Sequence, residues 1–183
     1  MKNTLYINPL TPEINFLIFD GEQTIARFLT KNLDTASTFP KLLINIVDAY
    51  QIDEIWCING PGPFTLMRVV TLAINALTYT RIIDIKSCHF FDMVTSGHIP
   101  IIEANLREFL IMESTEMTTI SKNLLPEGTY EGIFSDICST ESTKLIQYIE
   151  VRASIVDVFS KKQISSRISP IYFKPPHITC PKP

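Results

Sequence analysis

The sequence predicts an α/β fold with mixed sheets and flanking helices, and three observations carry that reading. Three β-rich segments open the chain and are followed by an amphipathic helical segment. The run Ile55-Trp56-Cys57-Ile58 is apolar without polar alternation, as a strand covered on both faces must be. A glycine-rich turn then leads from that strand into a second long helical segment, Phe64 to Tyr79. The order β-β-β-α-β-α sits in a chain of 183 residues, 45% of them hydrophobic, enough for one ordinary domain or two small lobes sharing an interface.

The first two strands, Thr4 to Asn8 and Ile14 to Phe19, are rich in β-branched and aromatic residues and are separated by Pro9 and Pro12, which cannot serve a central ladder. Asp20-Gly21 is a favoured two-residue turn, and the alternation over Gln23 to Leu29 completes a three-stranded meander. Thr38 is placed as the N-cap of a helix over Pro40 to Tyr50, because Leu42, Leu43, Ile46, Val47 and Tyr50 recur at helical spacing and a first-turn proline loses no bond. In Phe64 to Tyr79 the polar residues Thr65, Arg68, Thr71, Asn75 and Thr78 form one narrow stripe, and apolar side chains cover most of the remaining circumference. Such a helix needs cover on more than one side, from its own sheet, from the preceding helix or from a partner subunit.

After a short strand at Ile82 to Ile85, a second, smaller lobe is predicted. Ile99 to Ile102 and Glu108 to Met112 read as paired strands joined near Asn105, Met117 to Ser121 as a third, and Gly132 to Phe134 as another after a turn at Glu127-Gly128. Ser142 to Phe159 carries Leu145, Ile146, Ile149, Ala153, Val156 and Phe159 at helical spacing, as one helix or two. The tail from Pro170 holds five of the twelve prolines and is expected to be extended, packing across a surface or trailing into solvent. The lobes are expected at residues 1–88 and 89–183, with the final helix and tail packing back.

Composition narrows the function. The net charge is -3 and Lys and Arg gather only in pairs such as Lys161-Lys162, so tight autonomous nucleic-acid binding is not expected, and any RNA contact is shared with a partner. No apolar run has signal-peptide or membrane-span length, which makes the cytoplasm the expected compartment. Cys57, Cys88, Cys138 and Cys180 lie far apart without a C-x-x-C pair, and are read as unpaired thiols with no structural zinc.

The strongest local feature is the strand-to-helix turn Asn59-Gly60-Pro61-Gly62-Pro63-Phe64-Thr65. It matches neither G-x-G-x-x-G nor G-x-x-x-x-G-K-[ST], and Pro61 and Pro63 each remove an amide donor that a phosphate cradle needs, so a structural elbow or partner contact is read ahead of nucleotide binding. Arg68 is read either as an anion-holding residue or as a solvated one on the polar stripe. The first strand ends at the neutral Asn8, while Asp20, Asp84 and Glu103 lack a second acidic residue at a telling spacing. His89, His98 and His177 have no nucleophile partner, and Trp56 reads as core. No catalytic residue, metal ligand or cofactor is expected.

The stretch Gly60-Pro61-Gly62-Pro63-Phe64-Thr65-Leu66-Met67-Arg68 resembles the G-P-G-S-F-T-G-x-R signature of the bacterial TsaB (YeaZ) family, where it likewise follows a strand and opens a long helix. Ile99 to Ala104 resembles that family's second-lobe strand ending in Asp-Ala-Arg, and Ser169 to Lys174 its closing P-x-Y-L-R. The resemblance implies an actin-like, ribonuclease H-like two-lobed fold and a non-catalytic subunit. That subunit pairs with TsaD in making the threonylcarbamoyl-adenosine of tRNA, with a TsaE-like ATPase as a further member of the complex and tRNA contacted only indirectly. It also places the partner contact on the two helices: Leu66, Met67, Val70 and Ile74 of the second, Leu43 and Val47 of the first, with Gly60, Pro61, Gly62, Phe64, Thr65 and Arg68 forming the turn and helix start. The sequence departs from the pattern at Pro63, Leu66, Asn8, Glu103 and Asn105. Two alternatives stay open: an actin-like nucleotide-binding phosphotransferase or peptidase, and a diverged paralogue that self-associates as a homodimer.

Overall fold

Period-two alternation builds the first sheet. In the computed structural model, which describes residues 2–10, 13–21, 23–30, 35–113, 116–135 and 143–172, β1 (Asn3–Asn8), β2 (Ile14–Asp20) and β3 (Gln23–Thr30) form the expected antiparallel meander. Leu5, Ile7, Phe16 and Ile18 enter one buried cluster, and Tyr6, Leu17 and Phe19 enter another on the opposite face. The predicted turn is offset by one residue, since Asp20 still pairs with Gln23 and Gly21 carries the positive φ of 55°. β4 (Glu54–Ile58) and β5 (Asp84–Cys88) continue the sheet in parallel from the other side of β1, giving the order β3-β2-β1-β4-β5. β5 starts later than the predicted Ile82 to Ile85, and Ile82 is fully exposed.

Helices α1 (Thr35–Tyr50) and α2 (Phe64–Thr80) cover one face of this sheet through Phe39, Leu43, Ile46 and Val47 of the first and Val70, Ile74 and Leu77 of the second. α1 begins before the predicted cap at Thr38, so Pro40 lies inside the helix and removes one backbone bond. Burial of Phe39 and Leu43 on either side of it anchors that turn.

The second sheet repeats the first strand for strand. β6 (Ile99–Glu103), β7 (Glu108–Glu113) and β8 (Glu116–Ser121) form an antiparallel meander, and β9 (Gly128–Ile133) and β10 (Thr143–Gln147) run parallel to β6, giving β8-β7-β6-β9-β10. Between β8 and β9, where the first lobe has α1, stands only a 3-10 turn, Lys122–Leu124, so the second lobe is a shortened copy. Asn105 shapes the β6–β7 turn by accepting from the N–H groups of Arg107 and Glu108.

The predicted helical reading of residues 142–159 is corrected in its first half. Residues 143–147 are strand β10, and only α3 (Arg152–Ser160) is helical. Leu145 and Ile146 fit a helix and a strand equally well by spacing; pairing along all of β10 with β9, which buries Leu145, decides for the strand. Beyond α3 the chain returns to the first lobe, with Ser165 bridging to Ile85 and Tyr172 to Gly62. The remainder of the proline-rich tail, with His177 and Cys180, lies outside the described residues, as does Cys138.

One cluster joins the lobes. It takes Tyr6, Phe19, Trp56 and Ile58 from the first sheet, Ile102, Leu110 and Ile133 from the second, Phe90, Phe91 and Met93 from a 3-10 turn, and Ile155 and Phe159 from α3. Trp56 stacks on Phe159 at 5.2 Å and is core, as read from the sequence. Among the described residues no helix is long and apolar enough to cross a membrane.

Candidate functional site

The glycine-proline turn between β4 and α2 is sealed by the chain itself. Gly60, with φ 125° and a cis bond to Pro61, lies where a Cβ would overlap the carbonyl oxygen of Ile171. A Cβ on Gly62 would meet Leu10 Cδ2 and Met67 Sδ at 2.7 Å. The Gly62 N–H donates to Ile171 O (3.1 Å), the Ile171 N–H to Asn59 O (2.8 Å), and Asn59 Nδ2 to Ser169 O (3.1 Å). Phe64 and Tyr172 pack with ring centroids 4.6 Å apart. The one amide donor left between the two prolines is therefore held by the returning segment, and the cradle in which a phosphate would sit is filled by backbone. Arg68 is exposed, with its guanidinium 6.0 Å from the centroid of the Phe64 ring.

The helix pair is covered within the chain on three sides. Met67, Val70, Ile74, Leu43 and Val47 are 0–3% exposed, and Leu66 is half-buried against the first core cluster. These side chains fill the chain's own core. The polar stripe of α2 is only partly solvated. Asn75 Nδ2 donates to Ile168 O (2.9 Å) and its Oδ1 accepts from the Ile168 N–H (2.8 Å), so this side chain replaces a strand partner for the returning segment. Thr71 is buried and donates to Met67 O. What faces outward is Thr65, Arg68, Leu72, Ala76 and Tyr79 of α2 with Ile44 of α1, and a groove of about 220 Å³ between the helices is lined by Pro40, Ile44, Ala73 and Ala76 among others. An Arg81–Asp48 ion pair ties the two helix ends together.

A larger cleft, about 430 Å³, opens between the end of β1 and the segment that follows β10. Asn8, Glu13, Asn15, Arg27, Tyr148 and Glu150 line it, with Leu29 and Ile149 as apolar wall. Asn8 is fixed in orientation, because its Oδ1 accepts from the Leu10 N–H (3.0 Å) and its Nδ2 donates to Glu150 Oε1 (2.6 Å). The Tyr6 hydroxyl donates to the same oxygen at 3.2 Å. Burial pushes the Glu150 carboxyl above its ordinary range, and the bonds from Asn8 and Tyr6 and the charge of Arg27 only partly offset that. Burial likewise pushes the Tyr148 phenol up.

No protein-family model matches this chain, and no curated protein matches it in sequence. Solved structures do match. One is described as an uncharacterized protein with similarity to peptidase YeaZ from Pseudomonas aeruginosa; it aligns with a TM-score of 0.60 at 11% identity over 95% of this chain and 100% of its own. YeaZ from Pseudomonas aeruginosa aligns with a TM-score of 0.58 at 12% identity over 94% and 100%. The fold is that of YeaZ, actin-like and two-lobed.

Within this YeaZ-like fold two of the acidic residues weighed from the sequence, Asp84 and Glu103, have local partners. Asp84 pairs with Lys2 at 2.6 Å, and Glu103 accepts from the Ser135 N–H (2.7 Å) and hydroxyl (2.6 Å) and pairs with Lys122. His98 bonds Glu131 at 2.7 Å. Cys57 and Cys88 are free thiols, buried and pushed up by that burial, Cys88 to about 12. The sequence reading missed the cleft. Asn8 and Glu150 lie 142 residues apart, and no local pattern marks Glu150, which lies within a segment read as helical.

Proposed function

We propose that this chain is a non-catalytic, YeaZ-like subunit that pairs with a TsaD-like protein in forming the threonylcarbamoyl-adenosine of tRNA. The observation that carries the reading is the match to YeaZ along both lobes, 94% of this chain against the whole of that one. The turn is consistent with it. Its amide donor is held by Ile171, so a nucleotide gains nothing there that would favour the phosphotransferase alternative. The partner meets the outward side of the helix pair, with Leu72 (56% exposed) and Ile44 (41%) as the apolar contacts and Arg68 and Tyr79 around them. A stable interface covers on the order of 800 Å² per partner, so the loops at the ends of both helices join it. Burying that surface favours the binding-competent arrangement of the catalytic chain, which supplies all the chemistry.

Reconstitution tests this reading. Modified nucleoside formed by the TsaD-like protein of the same genome is measured with and without this chain, its remaining components held constant. Formation that depends on this chain, and that is lost with Leu72→Asp, supports the proposal. Formation indifferent to its presence contradicts it.

A further inference from the structure

Among the described residues, Glu150 in the cleft between the lobes has no cation within ion-pair distance, although Arg27 lines the same cleft. We propose that this cleft binds a small primary ammonium compound carrying a short apolar substituent, with Glu150 receiving the ammonium group.

Glu150 Oε1 is occupied by Asn8 and Tyr6, both donors with fixed positions, and among the described residues no donor reaches Oε2. No Lys, Arg or His among them lies within ion-pair distance either, and Arg27 instead bonds Asn15 Oδ1 at 3.4 Å. A half-buried carboxylate in this condition is stabilised most by an incoming N⁺–H donor, since charge-assisted bonds are roughly twice as strong as neutral ones. An ammonium group has three donors to place. Glu150 Oε2 takes one, and water at the open mouth of the cleft takes the others. Ile149 (72% exposed) and Leu29 (51%) present the apolar wall against which a branched alkyl group packs. The volume of about 430 Å³ lies within the range of small-molecule sites. The same charges set the selectivity. Glu150 and Glu13, which also lines the cleft, repel carboxylates and phosphates.

The test is an NMR titration of the full ¹⁵N-labelled chain with 3-methylbutylammonium, and with 4-methylpentanoate as the anion of similar shape. The expected result is saturable shifts of the Asn8, Asn15, Ile149 and Glu150 amides with a Kd of about 1 mM, appropriate to so small a ligand. Glu150→Gln keeps the shape and the Asn8 bond and should weaken binding by about tenfold or more. The carboxylate should give no saturable shift at these amides. Equal binding of both probes, undiminished binding to Glu150→Gln, or no saturable shift at all overturns the proposal. Should Glu150→Gln fail to fold, the comparison of the two probes on the wild-type chain decides the matter.

Discussion

Gly60 is a residue that no side chain can replace. Its φ of 125° is unfavourable for any L-residue, and the space where a Cβ would stand belongs to the carbonyl of Ile171. Gly60→Ala should therefore lower stability by about 1–3 kcal/mol, measured by urea denaturation. Unchanged stability would mean that the segment at Ile171 does not close on the turn in solution. The buried Glu131 makes a second residue-scale case. Burial alone pushes its carboxyl up, but the bonds from His98 and the Thr95 N–H outweigh this and hold it below its ordinary range. Its folded value lies below the unfolded one, so its contribution is complete above the unfolded value and is lost as pH falls through the folded one. Urea midpoints collected from neutral to acid pH should fall less steeply for Glu131→Gln than for wild type, and parallel curves would refute this assignment. Glu150 has the opposite sign. Its raised folded value makes its ionised form unfavourable to folding, so stability from this group is lost as pH rises through that value. Glu150→Gln should then unfold at no lower temperature than wild type at mildly alkaline pH.

At the scale of elements, α2 shows what a sequence conveys and what it withholds. Its length, its start after the turn and its excess of apolar surface were all legible, because each is written in local periodicity. Which side receives which cover was not, because the sheet, α1 and the returning segment reach it from distant parts of the chain. The same limit explains β10, whose leucine and isoleucine spacing suits either state until β9 supplies the pairing partner. It also bears on the partner surface proposed above. The side chains singled out by their apolar spacing, Met67, Val70 and Ile74, are apolar because they build the core, whereas the outward Leu72 belongs to a mixed face with Thr65 and Arg68. Asn75 stands on the polar stripe for a structural reason. Asn75→Ala leaves the Ile168 amide and carbonyl without partners, which should cost about 1–3 kcal/mol and speed hydrogen exchange at Ile168 while the amides of β1 stay protected. Unaltered exchange at Ile168 would show that this contact does not hold the segment.

The whole molecule is one topology used twice, with the crossover helices retained in the first lobe and replaced by a short 3-10 turn between β8 and β9 of the second. Among the described residues the helix pair α1 and α2 is the longest helical element pair, and the inter-lobe core of Trp56, Phe159 and Ile133 joins its sheet to the second one. Two substitutions separate core from interface. Met67→Asp places a charge at a position 0% exposed and should unfold the chain, whereas Leu72→Asp, at 56% exposure, should leave the circular dichroism and melting of the isolated chain unchanged. The measurement that tests the central claim most directly is size-exclusion chromatography at micromolar concentration of this chain mixed with the TsaD-like protein of its own genome. The account predicts co-elution as one complex for the wild-type chain and separate peaks for Leu72→Asp. Separate elution of the wild-type pair, or a complex indifferent to Leu72→Asp, would contradict it.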